Sequence, residues 1–163
     1  ENARLKALGL AAQIPAEEEA LGVVADDSGI EVDAMSGRPG VHSARYLSPE
    51  ATDSERVQGI LRELGDLPPE RRTARFRCCI AFARGGRIEI ETDGSVEGRI
   101  ARAPAGDFGF GYDPIFIPRG YGRTFAELGA EVKHRISHRA VALCAFHARL
   151  LEYLIRAPGG SGD

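Results

Sequence analysis

A chain of 163 residues with 43% hydrophobic and 28% charged side chains has the composition of one globular domain, or of two lobes sharing a core. Its net charge of −3 offers no basic footprint for a nucleic-acid polymer. No apolar run approaches the ~18 residues of a membrane span, and no secretory signal is read before the first periodic segment. Three cysteines, two of them adjacent at Cys78 and Cys79, match neither a disulfide framework nor a zinc spacing, which suggests buried free thiols in a reducing cytoplasm. Of the 21 basic residues only Lys6 and Lys133 are lysines. In so arginine-rich a chain, a lysine suggests a place where a compact ammonium fits and a guanidinium fork does not.

In chain order, Leu5, Leu8 and Ala12 predict a helix from Ala3 to Ile14, ended by Pro15. Glu17, Glu18 and Glu19 read as a solvated surface turn. Leu21 to Ala25 suits a short buried strand, Asp26-Asp27-Ser28-Gly29 follows it, and Ile30, Val32 and Ala34 begin a second strand. Ser36 to Gly40 is turn-rich. Thr52 and Glu55 have the spacing of a capping box for a helix through Leu64. Phe76, Cys78, Ile80 and Phe82 alternate through a strand, Gly85-Gly86 turns it into a partner carrying Ile88 and Ile90, and a further strand covers Ser95 to Ile100. A glycine-rich loop, Gly106 to Gly111, leads to a short strand at Ile115-Phe116-Ile117. Ser137 caps a last helix whose apolar face is expected to include Val141, Cys144, Leu151 and Ile155. The segment Pro158 to Asp163 reads as a disordered tail. The pattern argues for an α/β protein on a mixed sheet.

Three places could carry chemistry. Asp26-Asp27 at a strand end could offer one carboxylate to a cleft, where a hard divalent cation accepts such oxygens together with substrate phosphates. The same four residues are ordinary turn chemistry, and taken alone they favour a turn. Glycines on both sides of Phe110 leave its ring free to stack on a flat base, or else the aromatics there plug the core beneath a loop. Asp113 before Pro114 is held extended, which would direct its carboxylate. His138 and Arg139 open a helix whose positive end favours acceptor atoms, with Lys133 just upstream; singly, such groups are more often surface charge. His42, His134 and His147 show no metal-ligand pairing and read as surface or packing residues.

In this order, Glu1-Asn2-Ala3-Arg4-Leu5-Lys6, Ala25 to Ile30, Pro39 to Tyr46, Gly109 to Pro114, and Lys133 with Ile136 to Arg139 resemble the inosine triphosphate pyrophosphatase family. Five blocks in register span nearly the whole chain, and both lysines fall inside them. The resemblance implies one nucleotide pyrophosphatase domain over residues 1–157, built on an elongated, twisted mixed sheet with flanking helices and two lobes around a central cleft. It also implies a cytoplasmic homodimer. The implied reaction is Mg²⁺-dependent hydrolysis of ITP, dITP or XTP to the monophosphate and pyrophosphate, cleansing the nucleotide pool. Asp27 would hold Mg²⁺ or activate water, Lys6 would face the phosphates and Ser28 would lie beside them. Phe110 would stack on the base, Gly111, Tyr112 and Asp113 would shape its pocket, and Lys133, His138 and Arg139 would reach the base and its 6-oxo group. The family pattern also has an upstream strand and phosphate-binding loop, whereas this sequence starts at the Glu1 block. The alternative to the enzyme is therefore a catalytically impaired nucleotide-binding module, and a third reading is a pyrophosphatase for modified pyrimidines or methylated bases.

Overall fold

The computed structural model describes residues 1–15 and 21–156; the Glu17–Glu19 turn and the terminal tail lie outside the described residues. Four strands, β1 (Val23–Val32), β2 (Thr73–Arg84), β3 (Arg87–Ile100) and β4 (Phe116–Pro118), form one sheet in the order β1-β2-β3-β4. The helices are α1 (Asn2–Ala11), α2 (Asp53–Leu64), α3 (Phe125–Ile136) and α4 (His138–Arg156). The α/β class with helices flanking the sheet is borne out. Every pairing among the described residues is antiparallel, so the parallel pair that would make the sheet mixed does not occur there.

The two long inner pairings override the local turn signals. Asp26 to Gly29 is not a turn: β1 runs straight through it, with Asp27 opposite Cys79 and Gly29 opposite Arg77. Turn propensity gives way because a ten-residue ladder to β2 satisfies the backbone here. Likewise β3 is one strand and not two, continuous through Asp93-Gly94. Gly85 and Gly86 both adopt positive φ, 56° and 73°, and close the β2–β3 hairpin in two residues as the spacing predicts.

Alternation along these strands gives the sheet two differently covered faces. On one, Ala3 and Ala7 of α1 pack on Ala25, Ala81 and Ala83. The helix forms as predicted and Leu8 packs against this cluster, but Leu5 and Ala12 are exposed, because small alanines are what let the helix lie close on the sheet. On the opposite face, α4 packs Ala142 and Phe146 on Cys78, Ile80, Phe82 and Ile90, with Leu150 and Tyr153 alongside. Val141, Cys144, Leu151 and Ile155 are exposed instead of buried. The face of α4 is set by its first turn, where a Cβ at Gly94 would stand 2.3 Å from the His138 carbonyl oxygen. Only a glycine allows that approach. The cysteines are all free, yet only Cys78 is buried; Cys79 is half-buried and Cys144 exposed.

The largest cluster joins Ile30, Val32, Ile60, Phe76, Ile100, Tyr112, Phe116 and Phe125. Phe116 and Phe125 are fully buried and each contributes roughly 1.5–3 kcal/mol. The predicted capping box of α2 is present, with Thr52 Oγ1 accepting from Glu55 N and Glu55 Oε2 accepting from Thr52 N. At the edge of this core the Arg72 guanidinium, 1% exposed, donates to the carbonyl oxygens of Ile100, Gly65 and Ala101 at 2.9–3.0 Å. It ties the exit of α2 to the end of β3.

Candidate active site

Adjacent aspartates on β1 point to opposite faces, as a strand's period of two requires. Asp27 lies on the α1 side. Its Oδ1 accepts from Lys6 Nζ at 2.6 Å and its Oδ2 from Asn2 Nδ2 at 3.1 Å. Lys6 also donates to the Asp26 carbonyl oxygen at 3.1 Å, so α1 delivers one ammonium to two successive residues of the strand. Asp27 lines a cavity of about 520 Å³ with Glu1, Asn2, Glu31, Glu91 and Asp93 among its other walls. Among the described residues no group of three or more His, Cys, Asp or Glu side chains converges as a ready-made metal cage.

Asp26 lies on the α4 side. Its Oδ2 accepts from Arg139 Nε at 3.1 Å and Nη2 at 2.8 Å. Beyond it, Ser28, Phe110, Gly111, Tyr112, Asp113, Lys133, His138 and Arg139 come together around a second cavity of about 200 Å³. Eight residues expected at the substrate thus meet in one pocket, while the expected catalytic pair, Asp27 and Lys6, meets behind the strand. Gly29 borders both cavities. A Cβ there would sit 2.2 Å from the Gly40 carbonyl oxygen, so glycine lets the short 3₁₀ helix Gly40–Arg45 close on β1. Ser43 fixes that contact, with its Oγ accepting from Ile30 N at 2.9 Å and donating to Gly40 O at 2.6 Å.

The Gly109–Asp113 loop is held from below. Asp113, 2% exposed, accepts from Phe110 N at 2.9 Å and pairs with Lys133 Nζ. Lys133 Nζ also stands 4.2 Å from the centre of the Phe110 ring. Phe110 is 64% exposed and is not a core plug. Tyr112, in contrast, is buried; its hydroxyl donates to Ser43 O at 2.8 Å, and burial pushes its pKa up. Ser137 Oγ accepts from Ala140 N at 3.2 Å, which confirms the expected cap of α4. The next residue, His138, is buried and stacked on Phe76 with ring centres 4.8 Å apart. Burial, with Arg139 and Lys133 adding to it, lowers its pKa to about 4, so the ring is neutral at neutral pH.

Sequence reasoning missed several residues at this pocket. Asp53 and Arg56, from the first turn of α2, line it, as do Ser43, Ala44 and Phe76. Asp53 Oδ2 accepts from Gly111 N at 2.7 Å and its Oδ1 pairs with Arg56 Nη1 at 3.1 Å. The i, i+3 spacing after the Thr52 cap was the available signal for that pair. Helix α3, which presents Lys133, was missed as well, although Thr124 and Glu127 have the same capping-box spacing as Thr52 and Glu55.

The comparisons with known proteins bear on the family and the fold. The Ham1 family model matches residues 1–149. The chain belongs to the Ham1 family. A dITP/XTP pyrophosphatase of Opitutus terrae is 50% identical over 141 residues, covering 86% of this chain and 68% of that protein. One from Geobacillus kaustophilus is 49% identical over 140 residues, covering 86% and 67%. Among solved structures, a HAM1 protein from Coxiella burnetii superposes with a TM-score of 0.83 at 41% identity, covering 93% of this chain and 75% of that one. The Ham1 assignment accounts for the order of the five sequence blocks and for the sheet that displays them. Among the described residues no helix is long and apolar enough to cross a membrane.

Proposed function

We propose that this Ham1 protein is a nucleoside triphosphate pyrophosphatase that hydrolyses the α–β phosphoanhydride of dITP, ITP and XTP, giving the monophosphate and pyrophosphate. The observation that carries the reading is the juxtaposition across β1. An aromatic, donor-lined pocket on one face borders, at Gly29, a polar cavity holding the Asp27–Lys6 pair on the other. Its relatives' name, dITP/XTP pyrophosphatase, supports the same substrates.

In this reading Phe110 stacks on the base, and Asp113 and Lys133 fix the loop that carries it. Arg139 and His138 offer donors to a 6-oxo group, which adenine's 6-amino group would leave unpaired, an error that polar sites punish by ~10⁴-fold or more. Ser28 and Lys6 face the phosphates. The carboxylates that share the cavity with Asp27, those of Glu1, Glu31, Glu91 and Asp93, fit a hard divalent cation, because Mg²⁺ takes one or two protein carboxylates and draws its other ligands from phosphate and water. Asp27 would hold it, and the ion supplies neutralisation of charge on the departing pyrophosphate. Lys6 orients the Asp27 carboxylate through Oδ1, and Asn2 fixes its second oxygen. Three unbridged cysteines suit a cytoplasmic enzyme. The exposed Leu143, Leu151, Leu154 and Ile155 of α4 offer apolar surface to a second copy in a homodimer.

A substrate panel tests the reading. Pyrophosphate release in the presence of Mg²⁺ is expected from ITP, dITP and XTP at ~10⁴-fold or more above ATP in kcat/KM. Binding of ITP in a calorimeter without any pyrophosphate release would leave only a binding module, and preference for a modified pyrimidine triphosphate would move the protein to another substrate class.

A further inference from the structure

Two buried side-chain polar atoms among the described residues have no hydrogen-bond partner, and both belong to walls of the same pocket: Nδ1 of His138 on α4 and Nε of Arg56 on α2. An unpaired buried polar atom is costly to a folded protein, so two in one cavity mark a place where a ligand completes the bonding. The His138 wall belongs to the 6-oxo reading already given. Arg56 does not. Its Nη1 pairs with Asp53 and its Nη2 donates to Pro49 O at 3.3 Å, which holds the guanidinium while its Nε–H stays buried without a partner. Asp53 also accepts from Gly111 N, so Arg56 and the loop presenting the Phe110 ring are indexed to one carboxylate.

The geometry points to Arg56 as a specificity-determining residue that reads the 2-position of the bound purine. This rests on the proposed function, which puts an oxopurine in the pocket with its 6-oxo edge toward α4. A donor contributed by the separate α2 wall then meets the 2-position. Xanthine offers a 2-oxo acceptor to Arg56. Hypoxanthine has only C–H there and neither gains nor clashes. Guanine presents a 2-amino donor against a donor, which leaves both unpaired. Arg56 therefore favours XTP over ITP and disfavours GTP, a discrimination that a 6-oxo contact alone cannot supply, since all three bases carry that group. Nε–H is shielded from water by its neighbours, so its contact with a base requires the side chain to rotate.

The test uses wild type, Arg56→Ala and Arg56→Lys, with kcat/KM for XTP, ITP and GTP measured on each preparation and binding of XMP, IMP and GMP followed by calorimetry. Ratios between substrates on one preparation are independent of how much of a variant is folded. The expected result is a fall of about 10-fold in the XTP-to-ITP ratio for Arg56→Ala, a rise in GTP relative to ITP, and the same order among the monophosphates. Arg56→Lys, whose single ammonium lacks the Nε donor, moves the ratios in the same direction. Unchanged ratios in both variants would overturn the inference. Wild type that binds the oxopurine monophosphates but turns over none of the triphosphates would sink the enzymatic reading instead, and the monophosphate ratios would still decide Arg56.

Discussion

On the α1 side of β1, Asp27 shares a cavity of about 520 Å³ with four further carboxylates, Glu1, Glu31, Glu91 and Asp93. On the α4 side, Asp26 leans on Arg139 beside a smaller pocket walled by Phe76, Phe110, Tyr112 and a neutral His138. The first environment is polar and acidic and suits ion chemistry. The second is more apolar and aromatic and suits recognition of a flat ligand. One strand serves both because neighbouring residues face opposite ways. The chain needs no separate domain to keep bond cleavage apart from base choice, and changes on the two faces should fall on different kinetic constants.

The most severe way to probe that division is Asp27→Asn. It is expected to lower kcat for XTP by ~10³-fold, equivalent to about 4 kcal/mol, with KM changed far less. A variant that kept near-normal turnover, or lost mainly KM, would end the separation of the two faces.

Acid should act first through the other face. The folded His138 has a pKa of about 4 against an ordinary 6.5, so above 6.5 both folded and unfolded rings are neutral and its contribution to stability is complete. As pH falls from 6.5 toward 4 the unfolded chain takes up a proton that the folded ring refuses, and roughly 3 kcal/mol is lost. Urea midpoints at pH 7 and pH 4.5 should differ more for wild type than for His138→Gln; equal pH dependence would show that the ring is not held neutral. A smaller effect is expected at the loop. Phe110→Ala removes an exposed stacking surface and should raise KM for ITP by about 10- to 100-fold, in keeping with ~1–3 kcal/mol per stacked base, while kcat stays within a few-fold. If kcat fell and KM held, the ring would belong with the chemistry.

How much of this was legible in the sequence depended on whether local or distant partners decide a feature. The Thr52–Glu55 cap and the Gly85-Gly86 hairpin are settled by residues a few positions apart, and both came out as read. The eight residues that meet in the pocket were legible as a set because they sit in compact blocks whose order resembles a known family. The course of β1 through Asp26-Asp27-Ser28-Gly29 was not legible, because its backbone is claimed by β2 some fifty residues later. Nor was the buried side of α4: leucines on one side and alanines on another leave the choice to Gly94, which admits the helix backbone at a single place. Arg56 escaped notice because an arginine in a helix's first turn looks like surface charge until Tyr112 and Gly111 are folded over it.

Arg72 joins helix exit to strand end through partners that are all main chain. Its acceptors, the carbonyls of Gly65, Ile100 and Ala101, survive any side-chain substitution, whereas Lys6, Lys133 and Arg139 are each held by a single aspartate, Asp27, Asp113 and Asp26. Replacing one of those aspartates therefore loosens the grip on the nucleotide while the clasp between helix exit and strand end stays shut. Such a variant should forfeit its ligand before its shape.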